Sequence, residues 1–259
     1  MKQTPLITPA TNWCAPDSLP DLSSAKRIAV DLETKDPNLL SSGPGWATGD
    51  GFVTGIAIAT DSWSGYLPIA HRGGGNLDKS LVLNWLRPLM LSQMDKVFHN
   101  AMYDVGWLKR EGVETKGKIH DTMIAAPLID EHRRSYSLNN LGFDYCGDQK
   151  DETLLNEAAK AWGINPKSQM YELPAEQDAV LTLKLWDILS AELEKQGLMS
   201  IYDLESNLLP LLIEMRWRGV KVDTNKTEQS IVELKKKEID CIKEIKRKWG
   251  LNVDIWASA

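Results

Sequence analysis

Apolar residues recur at strand spacing in the first part of the chain and at helix spacing in most of the rest. In Arg27-Ile28-Ala29-Val30-Asp31-Leu32-Glu33-Thr34, Ile28 and Val30 mark a buried β-strand. Phe52 to Ala59 reads as a second strand and Ser64 to Ala70 as a third, with Asp61-Ser62 supplying turn chemistry between them. These three predict an antiparallel meander. From Lys79 to Leu91 the period changes: Leu81, Val82, Trp85, Leu86 and Leu89 fall at helical spacing. Short strands at Lys96–His99 and Gly117–His120 then alternate with helices at Asn100–Glu111 and Thr122–Glu131, the latter with Asp121 as N-cap. Further helices are predicted from Ser137, over Glu152–Trp162 and over Ala175–Gln196, where Ala179, Leu183, Trp186 and Leu189 can face inward. A meander followed by alternating β and α predicts an α/β domain with a mixed sheet flanked by helices.

Two changes of pattern suggest boundaries. Residues 1–25 carry Pro5, Pro9, Pro16 and Pro20 among scattered polar residues and read as an extended leader. After Gly197 the chain reads as helical only, over Asp203–Arg218 and Thr224–Trp249, with Ile231, Leu234, Ile242, Ile245 and Trp249 on one side of the last helix. The expected organisation is a leader (1–25), an α/β domain (26–197) and a C-terminal helical extension (198–259). Gly73-Gly74-Gly75 is not followed by G-K-[ST], so it reads as a loop and not as a phosphate cradle.

Composition narrows the function classes. A hydrophobic share of 42% and a charged share of 25% are ordinary for a globular protein. No apolar run approaches the ~20 residues of a membrane span, and no secretory signal is visible, so a cytoplasmic protein is expected. Cys14, Cys146 and Cys241 form no C-x-x-C pair, against a zinc site or a disulfide framework. The net charge of −6 excludes nucleic-acid binding by overall charge. Only the last helix leans the other way: from Lys221 to Trp249, nine Lys or Arg stand against six Asp or Glu.

The candidate chemistry is acidic. Strand side chains repeat every second residue, so Asp31 and Glu33 project from one face at a strand end. Two carboxylates side by side repel, and a divalent cation held between them relieves the repulsion. A D-x-E alone also suits a strand running into a polar turn. Asn100 and Asp104, spaced i and i+4, would share a helix face after His99, and Asp178 lies near the start of a long helix, where the dipole favours an anion. His71, His99, His120 and His132 form no nucleophile constellation; His99 is expected to pack beneath the second of these motifs.

The ordered set D-x-E, N-x-x-x-D and D-A-x-x-T resembles the DEDD-type 3′–5′ exonuclease module of the RNase H-like superfamily. It is most similar to the proofreading domain of phage-type family A DNA polymerases. Asp36-Pro37-Asn38-Leu39, Gly43-Pro44-Gly45-Trp46, His120-Asp121-Thr122-Met123, Leu154 to Ala159 and Glu214 to Asp223 carry the likeness across about residues 25–220. The resemblance implies hydrolysis of the 3′-terminal phosphodiester with two divalent ions, Mg²⁺ or Mn²⁺. Asp31, Glu33 and Asp178 would hold one ion, Asp31 would bridge to the second, and Asp104 would serve that second ion. Thr34 and Asn100 would lie near the terminal nucleotides. The implied partners are a single-stranded DNA 3′ end, primer-template DNA and a polymerase module beyond residue 259. The implied setting is a monomer in a bacterial host cytoplasm.

One position departs from the family pattern. In the family, a tyrosine normally precedes the last Asp by four residues on the same helix face and orients the attacking water. Here Pro174 stands four before Asp178 and Leu173 five before, while Tyr171 precedes a proline best placed in a first turn. This departure predicts hydrolysis that is slow or absent. Two alternatives stand beside the exonuclease: a non-catalytic domain that holds single-stranded DNA or braces a polymerase, and a 3′–5′ exoribonuclease.

Overall fold

A computed structural model describes residues 18–71, 75–148 and 176–254. The expected helix at 152–162, the Leu154–Ala159 likeness, residues 1–17 of the leader, most of the glycine loop and the residues just before Asp178 lie outside that description.

A five-stranded sheet runs in the order β3-β2-β1-β4-β5. Its strands are β1 (Arg27–Lys35), β2 (Phe52–Ala59), β3 (Ser64–Pro68), β4 (Asp95–Phe98) and β5 (Ile119–Asp121). The pairs β1/β2 and β2/β3 are antiparallel, whereas β1/β4 and β4/β5 are parallel, so the sheet is mixed as expected. Two short helices, α1 (Leu39–Ser42) and α2 (Gly45–Thr48), fill the connection after β1. They are followed by α3 (Lys79–Leu91), α4 (Ala101–Arg110), α5 (Thr122–Ile129) and α6 (Leu138–Leu141), and α6 runs into a π-helical turn at Gly142–Cys146. The long helices are α7 (Glu176–Lys195), α8 (Met199–Arg218) and α9 (Thr224–Trp249).

Strand parity divides the core in two. Ile28, Val30 and Leu32 face one way, into a cluster with Val82 and Leu86 of α3 and Val105 and Leu108 of α4. Ala29 faces the other way, with Ala57, Tyr66 and Val97, toward Ala179, Leu183, Leu185 and Leu189 of α7. Asp31 and Glu33 share the parity of Ala29, so alternation alone directs them to the α7 side. On that side His120 stacks on Trp186 at 4.2 Å between ring centroids, and Tyr202 of α8 lies parallel to His120 at 6.2 Å. Burial holds the His120 imidazole below its ordinary pKa, against the pull of Asp95, so it packs as a neutral ring.

Described residues of the leader join this core: Leu22 is buried and the Pro20 carbonyl accepts the Trp85 indole N–H at 2.7 Å. Compact units divide at Trp217/Arg218, not near Gly197. The reason is packing, since Tyr202, Leu209 and Ile213 place α8 within the two core clusters. In the second unit α9 forms as its pattern predicts, capped by the Asp223 side chain on the Lys226 N–H, but none of its residues is buried.

Candidate metal centre

Three predicted carboxylates meet. One oxygen each from Asp31, Glu33 and Asp178 lies within 4.8 Å of the other two. β1 contributes the first pair from the middle of the sheet. Asp178 stands at the start of the α7 stripe that continues through Thr182, Leu185, Trp186 and Leu189, all of them buried against the sheet. The i, i+4, i+7 spacing that packs α7 onto the strands therefore also delivers Asp178 to the strand-end pair.

Asp104, on α4, stands outside that trio but near enough to feel the charges of Asp31 and Glu33. It is 3% exposed and accepts a backbone hydrogen bond from Leu32. Its pKa is raised well above the carboxylate range, first by burial and then by the charges of Asp31, Asp121 and Glu33. A buried acid gathered with like charges and oxygen donors is the environment a hard divalent cation stabilises. Among the described residues the donors that meet are carboxylate oxygens, a hard set that suits a hard divalent cation.

Asn100 behaves otherwise than its spacing suggested. It does not share a helix face with Asp104: its backbone is left-handed (φ 75°, ψ 54°), its side chain caps nothing, and it is exposed while Asp104 is buried. Left-handed backbone removes Asn100 from the helix that the i, i+4 rule assumed.

Thr34 follows a register shift between Glu33 and Thr34, a β-bulge that re-aims the strand end beside the carboxylates. Its hydroxyl lies 2.7 Å from the Tyr103 hydroxyl, which donates to Asp36 Oδ2 at 3.0 Å. A phenol has one proton, so with that proton directed at Asp36 the Thr34 hydroxyl is the donor to Tyr103. Burial first, with Asp36 adding to it, pushes the Tyr103 phenol up to about 12, so it stays protonated.

Sequence reasoning missed Tyr103 and Asp36, and also a second tyrosine. Gly55 pairs with Glu33 across β1/β2, and a Cβ there would lie 1.9 Å from Tyr66 Oη. The glycine leaves room for that phenol, which is hydrogen-bonded to His71 Nε2 at 2.6 Å. An isolated glycine inside a strand pattern signals such a close approach.

His99 packs beneath this region as expected. Its Nδ1 lies 2.8 Å from the Thr122 hydroxyl, which in turn donates to the Phe98 carbonyl at 3.2 Å. Burial, partly opposed by Tyr136, lowers His99 to about 4.

The profile of the 3′-5′ exonuclease family matches residues 11–194. The chain belongs to that family. The exonuclease chain is 37% identical to a DNA-directed DNA polymerase of Pseudomonas phage M6, over 98% of its own length and 41% of the phage protein. It is 30% identical to DNA polymerase DpoZ of Salmonella phage PMBT28 (91% of this chain, 37% of that protein). With DNA polymerase I of Rhizobium leguminosarum the identity is 29% over 78% of this chain and 22% of that protein. The chain thus spans about two fifths or less of these curated relatives. Among solved structures, Pol1 of M. smegmatis, determined with DNA primer-template and dNTP, aligns with TM-score 0.65 at 19% identity, over 91% of this chain and 36% of that one. NrnC of Brucella melitensis with bound Mg²⁺ aligns with TM-score 0.55 at 17% identity, over 78% of this chain and 92% of that one. These likenesses bear out the RNase H-like α/β fold.

Proposed function

We propose that this domain removes nucleotides from the 3′ end of single-stranded DNA by metal-dependent hydrolysis, as the proofreading part of a longer DNA polymerase. The observation that carries the reading is the convergence of Asp31, Glu33 and Asp178 beside buried Asp104 in a member of the 3′–5′ exonuclease family. Asp31, Glu33 and Asp178 would hold one divalent ion, and Asp31 and Asp104 would serve a second. Such ions supply Lewis-acid charge to the scissile phosphate and make water a usable nucleophile near neutral pH. Asp104 reaches the site only through α4, so the position of that helix sets where the second ion can sit. Thr34, whose hydroxyl donates its hydrogen bond to Tyr103, presents lone pairs that can accept from a terminal 3′-hydroxyl. Asn100, exposed at the head of α4, offers its carboxamide to the adjoining nucleotide.

Slow turnover is part of the proposal. Pro174 occupies the position where the family pattern has a water-orienting tyrosine. The alignment to the Pseudomonas phage protein runs over 272 positions, more than this chain's 259 residues, so that relative carries residues without a counterpart here. This departure favours one second reading, a domain that binds a single-stranded end and metal but scarcely cuts.

The test is single-turnover degradation of a 5′-labelled mismatched primer with Mn²⁺, with Asp31→Ala as control. Slow, metal-dependent shortening that Asp31→Ala abolishes supports the exonuclease. Binding without shortening supports the holding domain, and faster loss of a matched RNA oligonucleotide supports an exoribonuclease.

A further inference from the structure

Asp121 is a buried acid whose charge bears on Asp104, and like Asp104 it stands outside the trio whose oxygens lie within 4.8 Å of one another. Its hydrogen bonds explain why. Oδ1 accepts the N–H of Asn100 at 3.0 Å and of Met123 at 2.8 Å, and Oδ2 accepts the N–H of Ala101 at 2.7 Å. One carboxylate thus serves the first turns of two helices. For α5 it is an ordinary N-cap, adjacent in sequence. For α4 it acts from another strand, because the parallel register sets Phe98 beside Asp121 and both strands end together.

The consequence falls on Asn100. The residue before a helix usually turns its own side chain back onto the free N–H groups and keeps an extended backbone. Asn100 does neither: it is the one non-glycine with positive φ among the described residues, and its side chain makes no cap hydrogen bond. The left-handed state costs about 1 kcal/mol for a residue with a Cβ and is tolerated best by Asn and Asp. Two hydrogen bonds from consecutive N–H groups to one carboxylate offset that cost and fix the peptide planes on either side of the Asn100 Cα.

We infer that Asp121 is a positioning residue that caps α4 in place of Asn100, holds Asn100 in the left-handed conformation, and so keeps its carboxamide outside the helix for a single-stranded end. The last clause rests on the proposed function; the cap and the backbone conformation stand apart from it. Asp121 itself touches no substrate. Its own N–H donates to the Tyr202 hydroxyl at 3.0 Å, so the cap is in turn held by α8.

The experiment is a double-mutant cycle between Asp121 and Asn100 in the 259-residue chain, with two readouts. Amide hydrogen exchange by NMR reports the cap. Asp121→Ala is expected to lower protection of the Asn100 and Ala101 amides at least about tenfold relative to the rest of α4, with Asp121→Asn, which keeps one acceptor oxygen, in between. Unchanged protection overturns the inference. Should Asp121→Ala fail to fold, the Asp121→Asn comparison decides alone.

Fluorescence anisotropy with a labelled single-stranded oligodeoxynucleotide in Ca²⁺ reports the consequence. Asn100→Ala and Asp121→Asn are each expected to weaken binding about fivefold, and the double variant to be no weaker than either by more than about twofold. Losses that multiply would show that Asp121 does not act through Asn100 and overturn the inference. A wild-type chain that binds no DNA would remove the proposed function and the clause resting on it, while the exchange readout still decides the cap.

Discussion

Replacing Asp31 by Asn should stabilise the metal-free domain. Oxygens of Asp31, Glu33 and Asp178 lie within 4.8 Å of one another. At an effective dielectric of about 20, two unit charges at that distance repel by roughly 3.5 kcal/mol. Asp31 takes part in two such pairs and also bears on buried Asp104. Rotation of the half-exposed side chains and protonation of Asp104 relieve part of this, so a net gain of about 1–3 kcal/mol is expected for the neutral isostere. For a chain of this size that corresponds to a rise of roughly 2–12 °C in Tm.

The assay is thermal unfolding followed by circular dichroism, in EDTA and in excess Mn²⁺. An ion at about a hundredfold its Kd adds roughly 3 kcal/mol to a protein that binds it only when folded. The wild type should receive that increment and Asp31→Asn little of it, so their order in Tm should reverse between the two buffers. A lower Tm for Asp31→Asn in EDTA would refute the repulsion argument, and equal Mn²⁺ responses would refute the metal assignment. The sign matters more than the size: a charge whose removal stabilises the empty protein is kept for what it binds.

Three other perturbations test the frame around the site. Buried Lys96 is drawn down to about 8 by desolvation, against the pull of Asp95. With its folded pKa below the unfolded 10.5, the unfolded chain holds more protons across that window and stability rises with pH through it. Lys96→Met should therefore gain about 1–2 kcal/mol at pH 7 in urea unfolding, and a loss would refute this. His99, held near 4, binds its proton in the unfolded chain first, so stability should fall as the pH drops from 6.5 toward 4. The loss should reach up to about 3 kcal/mol, and His99→Gln should flatten the slope. Gly55→Ala sets a methyl group 1.9 Å from Tyr66 Oη, so about 1–3 kcal/mol of destabilisation is expected, with a weaker Mn²⁺ shift because Gly55 pairs with Glu33; an unchanged Tm would refute the close approach.

The long periodic segments were legible in the sequence because one physical factor governs them. Alternation fixed both the β1 strand and the common side of Asp31 and Glu33, and the α7 stripe fixed the direction of Asp178. What escaped depends on tertiary register. Spacing alone treated Asn100 as a helical residue, because nothing local shows that Asp121, from the neighbouring parallel strand, takes over its cap. Gly197 looked like a boundary because it ends one helix pattern, yet Tyr202, Leu209 and Ile213 bury the next helix in the same core. Tyr66 and Tyr103 fall inside a predicted strand and a predicted helix, and their hydroxyls gain meaning only with Gly55 and Thr34 opposite them.

Metal binding and hydrolysis should be separable in this chain, and the architecture says why. Asp31 and Glu33 stand on the strand paired on both sides, between β2 and β4. Asp104 is fixed by α4 and the Leu32 N–H, and Asp178 by the buried stripe from Ala179 to Leu193. None of these supports depends on where the departure at Pro174 falls, four residues before Asp178. A missing water-orienting group removes an interaction made in the transition state, which lowers turnover and leaves ground-state binding alone. The Mn²⁺-induced rise in Tm should therefore be of ordinary size even where the single-turnover rate is low. A chain that fails both tests would place the defect in the carboxylates themselves.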